Sequence, residues 1–398
     1  MRQLATHAYA WSHSLPRHRL AAHGHFVQAA PGEAGVLIDP VPFGEGDEAQ
    51  VRELGGVTAV LVLRPERAQR GAAYRDLFGC PLLAPQGLGV PGGLGAVEPF
   101  PPGASLPGGL RVVAAGAPAG EVAPPGWPAV VALYHGPSGA GILGGAVAGD
   151  PAGSLSLTAD ESPPAGGGTA QQVAGAAADR ARGLRALLGL WLRPPGRVLV
   201  PEGEPVLRDG ERALQDLVYR HDPAACLLRP EELVWQDPRG KGTRFERRSG
   251  ECSRPLGLRV LDFEVTVVPP GRENTLLHRH DGLEEAFVVL QGEGVLVTES
   301  GAFPIRTGDV LGFPPRYQVA HAFRNTGAGD LRLLALGAFA EPAEAVGLAE
   351  YPESGKQFQW VPGKFRRFYL PQEVNVDYWE GERIDLREDE LPPPGKGR

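Results

Sequence analysis

Residues 278–294 read HRHDGLEEAFVVLQGEG. His278 and His280 stand one residue apart, Glu285 follows, and Gly292-Glu293-Gly294 closes the run. In a strand, residues i and i+2 face the same side. Both imidazoles therefore point one way, and a turn through Asp281-Gly282 brings Glu285 back on the next strand. His321 is the one histidine further downstream and supplies a fourth donor, so three of the chain's 10 histidines fall between 278 and 321. Three imidazoles and a carboxylate suit one transition metal ion: Fe, Mn, Ni, Zn or Cu. The donor set alone does not choose among them.

The elements that must position these donors are strands. After about Cys226 the helical periodicity of the first part disappears. Ala286–Leu290 and Val295–Thr298 flank the Gln291–Gly294 turn, a hairpin signature. Phe303–Arg306, Val310–Phe313, His321–Arg324 and Leu331–Gly337 follow, separated by Thr307-Gly308-Asp309 and Thr326–Asp330. Short strands at close spacing with glycine turns predict an all-β barrel or sandwich. Arg279 and Glu284 alternate outward, away from the donors. Gly292 serves the tight turn, and Asn325 caps the turn after the His321 strand.

His278-x-His280-x4-Glu285-x6-Gly292 resembles the first motif of the cupin superfamily, with the preceding glycine displaced by one residue to Gly271. Gly308-Asp309-x4-Pro314, His321 and Asn325 resemble its second motif. Arg316 stands where that motif has glycine, and two extra residues precede His321, a longer spacing similar to that of some bacterial single-domain cupins. The resemblance runs over about 226–385 and implies a double-stranded β-helix, or jelly roll, with His278, His280, Glu285 and His321 on the metal. It does not choose a reaction. Arg316 and Tyr317, on the loop at the expected barrel mouth, are candidates to bind a substrate. A guanidinium there suits an anionic small molecule.

The first part has mixed α/β character. Strands are predicted at 35–40, 57–63, 80–85, 110–114, 129–135, 141–145 and 197–200. Helices are predicted at 71–78, 171–192 and 211–219, with Gly79 as a C-cap and loops over 84–109 and 161–170. Val36–Pro40, the turn at 116–123, and Ile142–Gly145 resemble, in order, cues of the metallo-β-lactamase-like fold. That family's metal loop corresponds to Leu63–Arg70, LRPERAQR, which has no histidine; Ala117 and Gly145 replace two further ligands. The resemblance therefore implies an α/β sandwich without metal ligands. His23 and His25 have chelating spacing, but an early amphipathic strand accounts for them better. His135 and His221 are isolated. Arg64, Arg67 and Arg70 form either a solvated helix start or a patch that binds an anion or another chain.

These readings divide the chain into a degenerate metallo-β-lactamase-like domain (1–222), a cupin domain (226–385) and a charged, Pro-rich tail (386–398). The 398-residue length accommodates this. A net charge of −8 argues against nucleic acid as partner. Cys80, Cys226 and Cys252 form no CxxC pair, so a reducing, cytoplasmic setting is expected. The N-terminal segment lacks a signal-peptide pattern. No run of about 18 apolar residues predicts a membrane span. Jelly-roll cupins expose sheet edges, so the resemblance implies a homodimer or larger assembly. Two functions follow. One is a metal-dependent enzyme, of oxygenase (dioxygenase) or isomerase type, acting on a small, anionic metabolite. The other is a non-enzymatic binding or sensing module whose first domain serves assembly. Glu264 and Tyr317 are the acid/base candidates beside the metal.

Overall fold

The computed structural model describes residues 1–14, 20–115, 131–144, 147–157, 181, 183–185, 187–188, 195–339, 347–360, 367–370, 373–374, 377–379 and 381–385. The 116–123 turn, Gly145, the 161–170 loop, most of the 171–192 helix and the 386–398 tail lie outside these residues, as does the Arg316 side chain. The chain forms two compact units, Met1–Leu228 and Arg229–Arg398. Residues 223–228 lie with the first unit because Asp222 turns inward. Its carboxylate pairs with buried Arg185 and accepts the Ala224 N–H, and Ala225 packs in the adjoining core.

In the first unit, a ten-stranded sheet carries Ala21–Val27, Gly35–Ile38, Val57–Leu61, Leu82–Pro85 and Glu98–Phe100 as consecutive neighbours. The last four of these run parallel. A five-stranded sheet has the order Arg197–Leu199, Ala140–Leu143, Val131–His135, Leu110–Ala115, Ser105–Leu106. The strand period of two explains the layering. Ile38 and Leu61 meet Val112, Leu133 and Ile142 between the sheets. Their neighbours Leu37 and Val60 face outward against Val51 of helix Asp47–Glu53 and Ala72 of helix Ala68–Phe78. On the far side, Leu214 and Leu217 of helix Gly210–His221 pack on Ala132 and Leu143. The result is a four-layer α/β/β/α sandwich. Sheets covered on both faces require continuous apolar strands, and each fully buried Leu, Ile or Val contributes about 1.5–3 kcal/mol.

This double burial changes two expectations. The Ala21–Val27 strand is not amphipathic: His23 and His25 are both buried. Gly24 between them admits the Trp11 indole, which a Cβ would approach to 2.5 Å. Arg64 and Arg67 are not a solvated helix start either, being 6% and 7% exposed. The 71–78 helix begins earlier, at Ala68, because a 3-10 turn at Pro65–Arg67 leads into it; Gly79 ends it in the left-handed region, φ 66°. His135 is buried with both ring nitrogens bonded, to Ser138 Oγ and the Gln28 carbonyl. It is a structural histidine.

The second unit is built of strands. Its main sheet runs Val234–Trp235, Phe245–Glu251, Leu261–Val268, Leu331–Phe339, Leu283–Gln291, Val310–Phe313, with Arg239–Lys241 pairing beside Phe245–Glu251. A second sheet has the order Gly301–Arg306, Glu293–Thr298, Ala322–Asn325. Val268, Phe287, Phe313 and Leu333 of the first meet Ile305 and Phe323 of the second in a shared core. A third sheet, Arg279–Asp281, Gly347–Tyr351, Lys356–Trp360, Arg367–Leu370, Glu373–Val374, completes the unit. Gly292 makes the predicted hairpin at φ 91°, where a Cβ would come within 2.6 Å of the Asp330 carbonyl. Asn325 is fully buried, donating to the Val268 and Gly329 carbonyls and accepting from the Gly327 N–H. No helix among the described residues is long and apolar enough to cross a membrane.

Candidate metal centre

Three neighbouring segments bring the donors together. His278 and His321 form an isolated antiparallel bridge and exchange both backbone hydrogen bonds, at 3.3 and 2.8 Å. His280 lies on Arg279–Asp281, opposite Ala349. Glu285 lies on Leu283–Gln291, opposite Phe313. Donor atoms of His278, Glu285 and His321 all lie within 4.8 Å of one another. His280 Nε2 is 3.4 Å from Glu285 Oε2, and its ring centroid is 4.8 Å from that of His278. The outward residues behave as the alternation requires: Glu284 is exposed, and Arg279 pairs with Glu350 and Glu299.

The ring nitrogens away from the centre fix the tautomers. His278 Nδ1 donates to the Leu276 carbonyl at 2.8 Å, and His321 Nδ1 to the Val319 carbonyl at 3.2 Å. Carbonyl oxygens only accept, so in the neutral rings Nε2 carries a lone pair. His321 Nε2 then faces Glu285 Oε2 at 3.1 Å, and both atoms are buried without a hydrogen bond. Two acceptors so close in a buried site repel unless a cation or proton lies between them. The donor chemistry and this orphaned pair fit a transition metal ion.

The electrostatics favour the metal-binding protonation states. Burial, reinforced by repulsion from His280 and His321, pushes His278 down to about 3. Burial also lowers His280, against the pull of Glu285.

A small cavity opens onto His280, Glu285 and His321, walled by Leu283, Phe313, Pro314, Pro315, Gln318 and Val319. Phe313 stacks on the His321 ring, with centroids 3.7 Å apart. Arg316 and Tyr317 lie in the 3-10 turn Pro315–Tyr317 that borders this opening. Tyr317 is 67% exposed and is not part of the wall. Glu264 accepts hydrogen bonds from Ser249 and Thr266 and does not line the cavity either. Sequence spacing missed Tyr351, which is buried and stacks over His278 with centroids 6.0 Å apart. It is distant in sequence and comes from the third sheet, so no local pattern could have found it.

Residues 264–337 match the cupin domain family model, so the C-terminal region contains a cupin domain. An uncharacterised protein of Methanocaldococcus jannaschii is 34% identical over 68 residues, 17% of this chain and 52% of the relative. An oxalate-binding protein of Thermotoga maritima is 39% identical over 74 residues, 19% of this chain and 59% of the relative. The chain thus spans between half and three-fifths of the length of these curated relatives. Among solved structures, a sugar phosphate isomerase from a cupin superfamily, from Silicibacter pomeroyi, is 20% identical with a TM-score of 0.33, covering 42% of this chain and 99% of that one. A Cupin 2 conserved barrel domain protein from Salinispora arenicola is 20% identical with a TM-score of 0.22, covering 25% and 82%.

Proposed function

We propose that the C-terminal unit holds one transition metal ion at His278, His280, Glu285 and His321 and takes a small anionic metabolite beside it. The observation that carries this reading is the buried encounter of Glu285 Oε2 with His321 Nε2, two acceptors 3.1 Å apart. A bound ion would supply Lewis-acid polarisation or redox chemistry. The chain's own residues supply the setting. The Leu276 and Val319 carbonyls orient the imidazoles, while Leu283, Phe313 and Val319 make an apolar wall.

The cavity bears on the choice of reaction. Apart from the metal-ligand candidates, no titratable residue among the described residues lines it. A sugar-type isomerisation needs a positioned proton carrier. This lining therefore favours oxygenase-type chemistry centred on the metal, or ligand capture without turnover, over isomerisation. The Thermotoga maritima relative, an oxalate-binding protein, supports a small dicarboxylate as ligand. Arg316, in the turn at the opening, is the residue we assign to the anion's second carboxylate, with Tyr317 beside it. Calorimetric titration of Mn-loaded protein with oxalate, and separately with a neutral sugar, tests the reading. Oxalate binding that disappears on chelation is expected; binding of the sugar alone would overturn it.

For the first unit we propose a metallo-β-lactamase-like sandwich retained for assembly of a cytoplasmic homodimer. The four-layer order and the position of Asp39 at the end of the Gly35–Ile38 strand support the fold. The free cysteines support a reducing setting. Exposed Val260, Phe303 and Val310 in the second unit support a covering partner. A monomer in sedimentation at micromolar concentration would contradict the dimer.

A further inference from the structure

A charged cluster lies at the carboxyl ends of two parallel strands in the first unit. Asp39 follows Gly35–Ile38 directly, and Arg64 comes three residues after Leu61, the end of Val57–Leu61. Open α/β sheets bind ligands at this edge. Asp39 is buried with left-handed backbone, φ 44°, a strained state for a residue other than glycine. Its Oδ1 accepts the Leu63 N–H at 2.7 Å, whereas Oδ2 has no hydrogen bond.

The two arginines differ. Arg64 has Glu202 at 3.2 Å, Asp39 at 3.4 Å and Glu66 at 3.5 Å, yet its Nε and Nη2 make no hydrogen bond. Arg67 is as deeply buried, 7% exposed, and among the described residues no carboxylate pairs with it. Its Nε is also without an acceptor. Arg67 Nε and Arg64 Nη2 are thus buried donors without a hydrogen-bond acceptor, a capacity that an anion would meet. Arg67 further stands at the N-terminal end of the 11-residue helix Ala68–Phe78, whose first turn contains no acidic residue. The helix dipole therefore adds positive potential at the same place. Burial raises the Asp39 carboxyl, against the pull of Arg64, and so reduces its capacity to neutralise the pair.

We propose that this sheet edge binds a small oxyanion, a carboxylate or phosphate group, received by Arg67 and the Nη2 of Arg64. The planar fork of a guanidinium fits two oxygens of such a group, which a lysine cannot reproduce. The site is built from residues of the first unit alone.

The test is calorimetric titration of the full chain with inorganic phosphate and, in parallel, with succinate. Both are repeated in a His321→Ala background, so that uptake at the metal centre is told apart. One equivalent is expected to remain in the His321→Ala background. Arg67→Gln should weaken binding about tenfold or more, the loss of a charged hydrogen bond. Arg67→Lys, which keeps the charge without the fork, should fall between. Asp39→Asn, which keeps an acceptor for Leu63 and removes the competing charge, should bind more tightly. Preference for phosphate or for succinate assigns the group. Should Arg67→Gln fail to fold, Arg67→Lys decides the matter. Absence of binding of either anion at millimolar concentration would overturn the proposal. So would an Arg67 variant that binds as the native chain does, including one with a lowered Tm, since Arg67 would then be structural only.

Discussion

Each unit buries a cluster of ionisable side chains at the ends of its strands, but the two clusters are built for opposite charges. In the C-terminal unit, three imidazoles and a carboxylate turn ring nitrogens and an oxygen towards one point. Glu285 Oε2 and His321 Nε2 meet there at 3.1 Å with no hydrogen bond between them. In the N-terminal unit, Arg64 and Arg67 present N–H groups that lack acceptors. The first arrangement suits a cation and the second, as proposed, an anion. Burial alone therefore says little about a site; the sign of the unmet hydrogen-bonding capacity is what separates a metal centre from an anion cradle.

The strongest way to break this contrast is to remove a donor. His321→Ala should lose most bound metal, because the ring that opposes Glu285 is gone, while the barrel stays folded on its apolar core. Unchanged metal content by elemental analysis would show that the ligands are misassigned. His280→Ala should act in the same direction, with a smaller loss, since His280 lies at the more open side of the cavity.

Next in size is the hairpin that aligns the Leu283–Gln291 strand. Gly292→Ala forces a Cβ into left-handed backbone and against the Asp330 carbonyl. A loss of roughly 1–3 kcal/mol is expected, measured by denaturant unfolding. A change below the error of that measurement would mean that the turn relaxes freely.

The N-terminal cluster should respond to pH without any metal. Burial, with the charges of His23 and Arg64, pushes His25 down to about 3. The folded state therefore holds fewer protons than the unfolded state between about 6.5 and 3. The stability associated with neutral His25 is complete above about pH 6.5 and declines as pH falls, by about 1.4 kcal/mol per pH unit. Calorimetry from pH 7 to 5 in the presence of chelator should show this decline in the first unit. A flat profile would mean that His25 is protonated or reached by water in the fold.

The smallest effect expected is at the cavity mouth. Arg316→Lys should weaken oxalate by about tenfold, the worth of a charged hydrogen bond, without altering metal content. Equal affinity would make Arg316 a surface residue and return the ligand's class to question.

The metal centre was legible in the sequence because its signals are local. Histidines two apart on extended chain share a face, and the Gly292 turn sets where the next strand returns. The burial of Arg64 and Arg67 was not legible. LRPERAQR is polar enough to read as solvated, and what encloses it includes Asp39 and Glu202, the latter 138 residues away. The same holds for Arg244, buried against Glu273 and Glu353, and for Arg324, which also reaches Glu273. Such long-range ion pairs have no period or spacing to betray them. The inward turn of Asp222 was hidden for the same reason, since its partner Arg185 lies in another segment.

The account rests most heavily on His278, His280, Glu285 and His321 acting together as one mononuclear centre, with no second centre in the N-terminal unit. Elemental analysis of the purified full-length chain tests this directly. The expected result is close to one transition metal per chain. Two or three per chain would contradict the reading of the N-terminal unit, and none after reconstitution with Fe, Mn, Ni, Zn and Cu in turn would contradict the metal centre itself.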